Sequence, residues 1–297
     1  MHVEKLLELN GHNGAIYTVD HLEKFIFTGS GDRFVAKWNL KTGIQEAFSI
    51  RCDQAIYQIK LICNKTILLI GTSSGAIHVI NLSDRKEIKH FIAHNVAIFA
   101  FEEILEINQF YVGDANGNLS VWNSLSWEMM LFLPLNVGKI RCIRISNDRK
   151  SIYLACQDGT IRQFDTKNFN EINCWQAHDT GANSIIESQD NKLYSAGKDG
   201  YIRIWELGSP PLCIKQIPAH NFGIYDLLFM QNGKSMLSIS RDKSIKLWDI
   251  DSMKVIQKLE RKHGGHSHAV NAITKISETE FVSVGDDKRL IYWDIIE

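Results

Sequence analysis

Short runs in which apolar and polar residues alternate recur along the whole chain, divided by turns rich in glycine and aspartate. "FIFTGSGDRFVAKWN" from Phe25 and "KLYSAGKDGYIRIWE" from Lys192 show the pattern. A period of two places alternate side chains on opposite faces of a strand, and the intervening turn residues close hairpins. No segment shows a sustained apolar period near 3.6, the mark of an amphipathic helix. Only four prolines interrupt the chain. The pattern predicts an all-β protein of many short strands.

The tryptophans give the strands a phase. Trp38, Trp122, Trp205, Trp248 and Trp293 each end an alternating run: "FVAKWN", "NLSVWN", "YIRIWE", "SIKLWD" and "RLIYWD". Two of the gaps are double, and Ile80 in "AIHVIN" and Phe164 in "TIRQFD" fill them with the same alternation. Seven units with steps of 41 to 45 residues then tile the sequence. Such a unit holds four strands of about 5–6 residues plus turns. One four-stranded sheet cannot bury both faces, but seven packed face to face can.

These residues carry a resemblance to the WD-repeat β-propeller family over the whole chain. The Gly-His half of its signature stands as Gly11-His12 and Gly265-His266, with Ala-His at His94, His178 and His220. The Trp-Asp half stands as Trp248-Asp249 and Trp293-Asp294. The resemblance implies a seven-bladed propeller of four-stranded antiparallel blades and a single domain over residues 1–297. In each complete unit the strand after the tryptophan runs into the next histidine, as in "EINCWQAH", and the chain begins "MHVEKLLELNGH" in that form. The first strand is therefore expected to complete the last blade, which leaves no open seam.

Four units hold a histidine, a hydroxyl and an aspartate at matching places, together with the tryptophan. They are His12, Thr28, Asp32 and Trp38; His178, Ser195, Asp199 and Trp205; His220, Ser238, Asp242 and Trp248; and His266, Ser283, Asp287 and Trp293. A hydrolase needs one such set, with an exposed nucleophile. A set repeated in each blade is structural. The resemblance implies a buried chain of hydrogen bonds from aspartate through histidine and hydroxyl to the indole. Three units depart from it. Unit two offers Cys52, Ile70, Ser74 and Ile80, unit three His94, Val112, Asn116 and Trp122, and unit four Asn136, Leu154, Asp158 and Phe164. Those three blades are expected to be held by packing.

Composition narrows the function. A net charge of −1 and a pI near 6.8 give no electrostatic footprint for wrapping nucleic acid. Six scattered cysteines include no CxxC pair. The N-terminal residues lack the basic and apolar regions of a secretory signal, and no apolar run approaches the ~18 residues of a membrane helix. A cytoplasmic protein with reduced thiols, no membrane contact and no cofactor is the expectation. "GTSSG" from Gly71 fits the nucleophile-elbow pattern, but a strand follows it where the elbow needs a helix. "HGGHSH" from His263 contains the network His266 and reads as a loop.

In the family the resemblance names, partners dock on one propeller face. Its recurring positions lie three and five residues after the network histidine and just before the turn aspartate. Carried onto this chain they mark Tyr17, Tyr57, Phe99, Lys139, Arg141, Lys198, Tyr225, Arg241 and Asp286. Most positions three after the histidine are alanine or glycine, which leaves the mouth open. Aromatics beside arginine form a hot-spot composition. None of these positions is a histidine or glutamate, which disfavours acid–base or metal chemistry. The expected function is a non-enzymatic interaction scaffold for a protein or peptide with acidic and apolar anchors. The alternatives are a propeller hydrolase or isomerase, or a subunit associated with nucleic acid.

Overall fold

The computed structural model describes residues 1–296. Its strands form seven four-stranded antiparallel sheets, the blade set of a seven-bladed β-propeller. Blade 1 consists of Ile16–Leu22, Phe25–Ser30, Phe34–Asn39 and Ile44–Arg51, here called strands a to d in chain order. Blade 3 repeats this with Ile98–Ile104, Gln109–Asp114, Asn118–Asn123 and Met129–Pro134. Blade 7 takes strands a to c from Val270–Lys275, Glu280–Gly285 and Arg289–Ile296, and its strand d is His2–Asn10. The register runs from His2 opposite Ile296 to Asn10 opposite Arg289. The expected closure of the last blade by the first strand is therefore present.

Burial explains the alternation. Strand b is buried on both faces in several blades, as in Ile67–Thr72 and Ser151–Cys156. Strand d is mostly exposed, as in Lys86–Ile92. The chain divides into two compact units, Met1–Ile59 with His220 onward, and Lys60–Ala219. Within the first, Trp293, Phe281 and Ile291 of blade 7 pack with Leu237 and Leu247 of blade 6, while Val282 and Leu290 pack with Ile16 and Trp38 of blade 1. Within the second, Phe110 and Trp122 of blade 3 pack with Leu69 and Val79 of blade 2, and Tyr111 and Val121 pack with Ile143 and Leu154 of blade 4. Within each unit the core is thus a series of layers between neighbouring blades. Glycine in strand b permits the close approach: a Cβ on Gly113 would meet Ile140 Cγ2 at 2.6 Å.

Candidate functional site

Each network begins from a group with only one possible role. An indole N–H only donates and a carboxylate only accepts. Trp38 Nε1–H donates to the Thr28 hydroxyl (2.8 Å), and His12 Nδ1–H donates to Asp32 (2.8 Å). His12 Nε2 lies 2.8 Å from Thr28 Oγ1, and a neutral ring that donates from Nδ1 accepts the hydroxyl hydrogen there. In that form the tautomer is fixed by both ends. The same chain links Trp205, Ser195, His178 and Asp199. It recurs through Trp248, Ser238, His220 and Asp242, and through Trp293, Ser283, His266 and Asp287. Further donors brace the carboxylates: Arg203 at 2.6 Å from Asp199, the Ser244 hydroxyl at 2.6 Å from Asp242, and Arg289 at 2.7 Å from Asp287. The Thr28, Ser195, Ser238 and Ser283 residues are 0% exposed. Such hydroxyls cannot meet a substrate.

Blade 3 differs from its expected place among the packing-held blades. His94 bonds to Asp114 (2.8 Å) and to Ser120 (2.8 Å), and Trp122 Nε1–H donates to the same serine (2.8 Å). In blade 1 Thr28 on strand b stands opposite Ala36 on strand c. In blade 3 Val112 stands on strand b and Ser120 opposite it on strand c. The hydroxyl and the apolar residue have changed places across the ladder. The carboxylate has moved from the turn to the end of strand b, where Asp114 also accepts from the Asn116 and Asn118 amides. Blades 2 and 4 fill the corresponding places with buried Cys52, Ile70 and Ile80, and with Leu154 and Phe164. Ser74 bonds only locally, to Thr72.

The marked face residues fall into two groups. In the first unit Tyr17 and Tyr57 pack with ring centroids 4.9 Å apart. Burial raises the Tyr17 hydroxyl's pKa, and Tyr57 and Asp286 add to the effect. Asn271 Nδ2 ties Asp286 (2.8 Å) to the Ile16 carbonyl (2.9 Å). Exposed Arg241 lies 6.0 Å from the centre of the Phe222 ring, itself 56% exposed. Tyr225 is half-buried. The marked positions omit Phe222. Its signal is the aromatic in "HNFG", between a network histidine and a glycine. In the second unit Lys139 Nζ and the Arg141 guanidinium each lie 5.0 Å from the centre of the Phe99 ring. Lys198 is exposed nearby. The loop histidines are engaged separately: His263 with the Glu260 amide, His266 in its network, and His268 with Ser267. Among the described residues no group of three or more His, Cys, Asp or Glu is placed to hold a metal.

The family "WD domain, G-beta repeat" matches residues 3–39, 169–206 and 211–249. Each match covers strand d of one blade and strands a to c of the next, and each ends on or just after a network tryptophan. These three segments are WD repeats. Kinesin-like protein KIF21B of Mus musculus is 24% identical over 96% of this chain and 19% of its own length. Kinesin-like protein KIF21A of Homo sapiens is 26% identical over 95% of this chain and 18% of its own. Cilia- and flagella-associated protein 52 of Mus musculus is 23% identical over 77% of this chain. The WD-repeat chain thus spans about a fifth of the two kinesin-like relatives and 37% of the third. WD-repeat propellers generally mediate protein interactions.

The networks give the WD-repeat chain a defined acid response. Burial pushes the His178 and His220 imidazoles below their usual pKa, against the pull of Asp199 and Asp242. An unfolded chain takes up those protons near pH ~6.5, so acid below that value favours unfolding. For Asp32, Asp114, Asp199, Asp242 and Asp287, burial alone would raise the carboxyl. The hydrogen bond from the paired histidine and the further donors outweigh it and hold each below the ordinary range. These carboxyls contribute stability above about pH 4, which is lost as pH falls toward their depressed values. Both effects have one sign. Thermal melts from pH 8 downward should show a flat midpoint to about 6.5, a shallow decline to about 4 and a steep fall below. A midpoint that rises on acidification through this window would contradict the neutral-histidine assignment.

Proposed function

We propose that this WD-repeat chain is a non-enzymatic interaction platform that binds a protein or peptide on its marked propeller face. The observation that carries the reading is the composition of that face. The Tyr17–Tyr57 pair and the Arg241–Phe222 pair offer flat apolar area beside a guanidinium, the residue types that dominate binding hot spots. Phe99 beside Lys139 and Arg141 repeats the combination in the second unit. A partner with an aromatic or aliphatic anchor and a nearby carboxylate suits both groups. The buried, fully engaged hydroxyls of the networks speak against an acyl-transfer enzyme. The near-zero net charge speaks against a nucleic-acid subunit. We also place the protein in the cytoplasm, as the sequence suggests. The relatives named as cilia- and flagella-associated make ciliated cells a source of partners to test.

The test is a set of face variants against a partner isolated with the wild type. Tyr57→Ala should accelerate release and cost about 2 kcal/mol of affinity. Arg241→Glu should slow capture in a salt-dependent way. Neither residue belongs to a network, so both variants should melt as the wild type does. Lys254→Glu, on exposed strand d of blade 6, is the control and should bind normally. Unchanged binding by both face variants, with loss in the control, would move the docking surface to the rim.

A further inference from the structure

In the first unit a carboxylate stands beside a pair of tyrosine rings with no cation to neutralise it. The backbone sets up this arrangement. In strand a of blade 1 the register slips between Ile16 and Thr18, and in strand a of blade 7 it slips between Val270 and Ala272. Tyr17 and Asn271 are the extra residues of these bulges, and a bulge re-aims its side chain out of the ladder. The Tyr17 ring lies against Gly31, where a Cβ would meet its Cε2 atom at 3.2 Å. Tyr57, from strand a of blade 2, sets its ring 4.9 Å from that of Tyr17, with 47° between the planes. Asn271 Nδ2 donates to Asp286 Oδ1 (2.8 Å) and to the Ile16 carbonyl (2.9 Å). The carboxylate is thereby tied to the residue that precedes Tyr17. Burial, then Tyr57, then Asp286 raise the Tyr17 hydroxyl's pKa, and no lysine or arginine offsets them. Asp286 is exposed, and it makes no ion pair among the described residues.

This combination suits a cation. An exposed ion pair alone is worth little, but the negative face of an aromatic ring attracts the same charge, so carboxylate and ring act together on one group. The hydrogen bonds select which cation. Asn271 already occupies Oδ1 of Asp286, which leaves Oδ2 as the open acceptor among the described residues. An arginine fork uses both carboxylate oxygens in parallel, whereas a lysine ammonium is a compact charge that needs one. Trimethylation would strip the ammonium of its N–H donors and with them the bond to Asp286. The lysine stem supplies methylenes that can lie along a tyrosine ring while the charged head reaches the carboxylate. We propose that Tyr17, Tyr57 and Asp286 form a binding site for an unmodified lysine side chain of a partner polypeptide. The proposal rests on the interaction-platform reading. It adds to the carboxylate that Arg241 would take a partner anchor of the opposite charge.

The experiment uses the full chain and four fluorescent degenerate peptide pools, alike except for a fixed central lysine, arginine, trimethyl-lysine or glutamine. Fluorescence anisotropy should show the lysine pool held at least about fivefold more tightly than the glutamine pool, with the arginine and trimethyl-lysine pools between them. Asp286→Asn keeps an acceptor for Asn271 and removes only the charge, so it should bring the lysine pool close to the glutamine level. Tyr17→Phe keeps the ring and should keep the preference, while Tyr17→Ala should remove most of it. Asp251→Asn, in the exposed turn between strands c and d of blade 6, is the control and should change nothing. Circular dichroism melts will show that the variants are folded. Equal binding of the lysine and glutamine pools, lost in Tyr57→Ala, would overturn the lysine site and leave the platform reading standing. A preference for arginine or trimethyl-lysine over lysine, or a lysine preference that survives Asp286→Asn, would overturn the site as stated. Binding by no pool, or binding that none of the face variants alters, would overturn both.

Discussion

Deleting residues 2–9 is expected to unfold the last blade and, with it, most of the protein's cooperative stability. The segment pairs along its length with Arg289–Ile296. Val3 and Leu9 are buried, in the layers toward blade 6 and blade 1 respectively. Losing two such side chains costs about 3–6 kcal/mol by area alone. The deletion also strips the partner strand of a whole ladder and bares a hydrophobic edge, which invites aggregation. A typical domain has only about 5–15 kcal/mol to lose. Urea melts and light scattering on the truncated chain check this. A truncated protein that melts cooperatively at the wild-type midpoint would show that the strand contributes little to closure.

Asp114→Ala should be the most damaging single change in any network. The side chains of His94 and Asp114 are both 0% exposed, unlike the aspartates of the other networks, which retain some exposure. Removing the carboxylate strands His94 Nδ1–H, which is buried, and takes an acceptor from the Asn116 and Asn118 amides and the Asn118 carboxamide. Leaving a buried donor of this kind unsatisfied costs about 1–3 kcal/mol. Ser74→Ala, at an exposed turn in blade 2, should cost under about 0.5 kcal/mol. The ladder exchange gives a sharper version. Ser120→Ala should be clearly destabilising, but the double change Val112→Ser with Ser120→Ala returns a hydroxyl to the opposite strand and should recover part of the loss. Simple addition of the two single effects in chemical melts would mean that the hydroxyl's position on the ladder is not interchangeable.

Much of this fold was legible because its determinants repeat. The tryptophan series set the phase, the alternation set the strands, and "MHVEKLLELNGH" carried the form of a strand d. Four networks were legible for the same reason: their members occupy matching places in each unit. Blade 3 was misread because matching places compare residues along the chain, whereas a hydrogen bond depends on distance. Val112 and Asn116 look like two losses in that comparison. Across the ladder, Ser120 and Asp114 supply the same groups from other places. The sequence marks candidate positions for a face, but not the contacts among them. The Tyr17–Tyr57 contact, the Asn271 bridge and the stacking of two cations on Phe99 depend on the spacing of neighbouring blades.

The pairing of His2–Asn10 with Arg289–Ile296 also sets an order of events at the ribosome. The first of these strands must wait for a partner made almost a whole propeller later, which at ~5–20 residues per second is a delay of roughly 15–60 s. Through that interval blades 1 to 6 can close on neighbours that already exist, but the first strand has none. Its exposed Glu4 and Lys5 and its half-buried Glu8 break up the apolar positions Val3, Leu6, Leu7 and Leu9. Such charges discourage a waiting strand from joining the wrong edge. Nascent chains stalled before residue 289 should therefore keep this segment open to protease, and synthesis past Ile296 should protect it in a single late step.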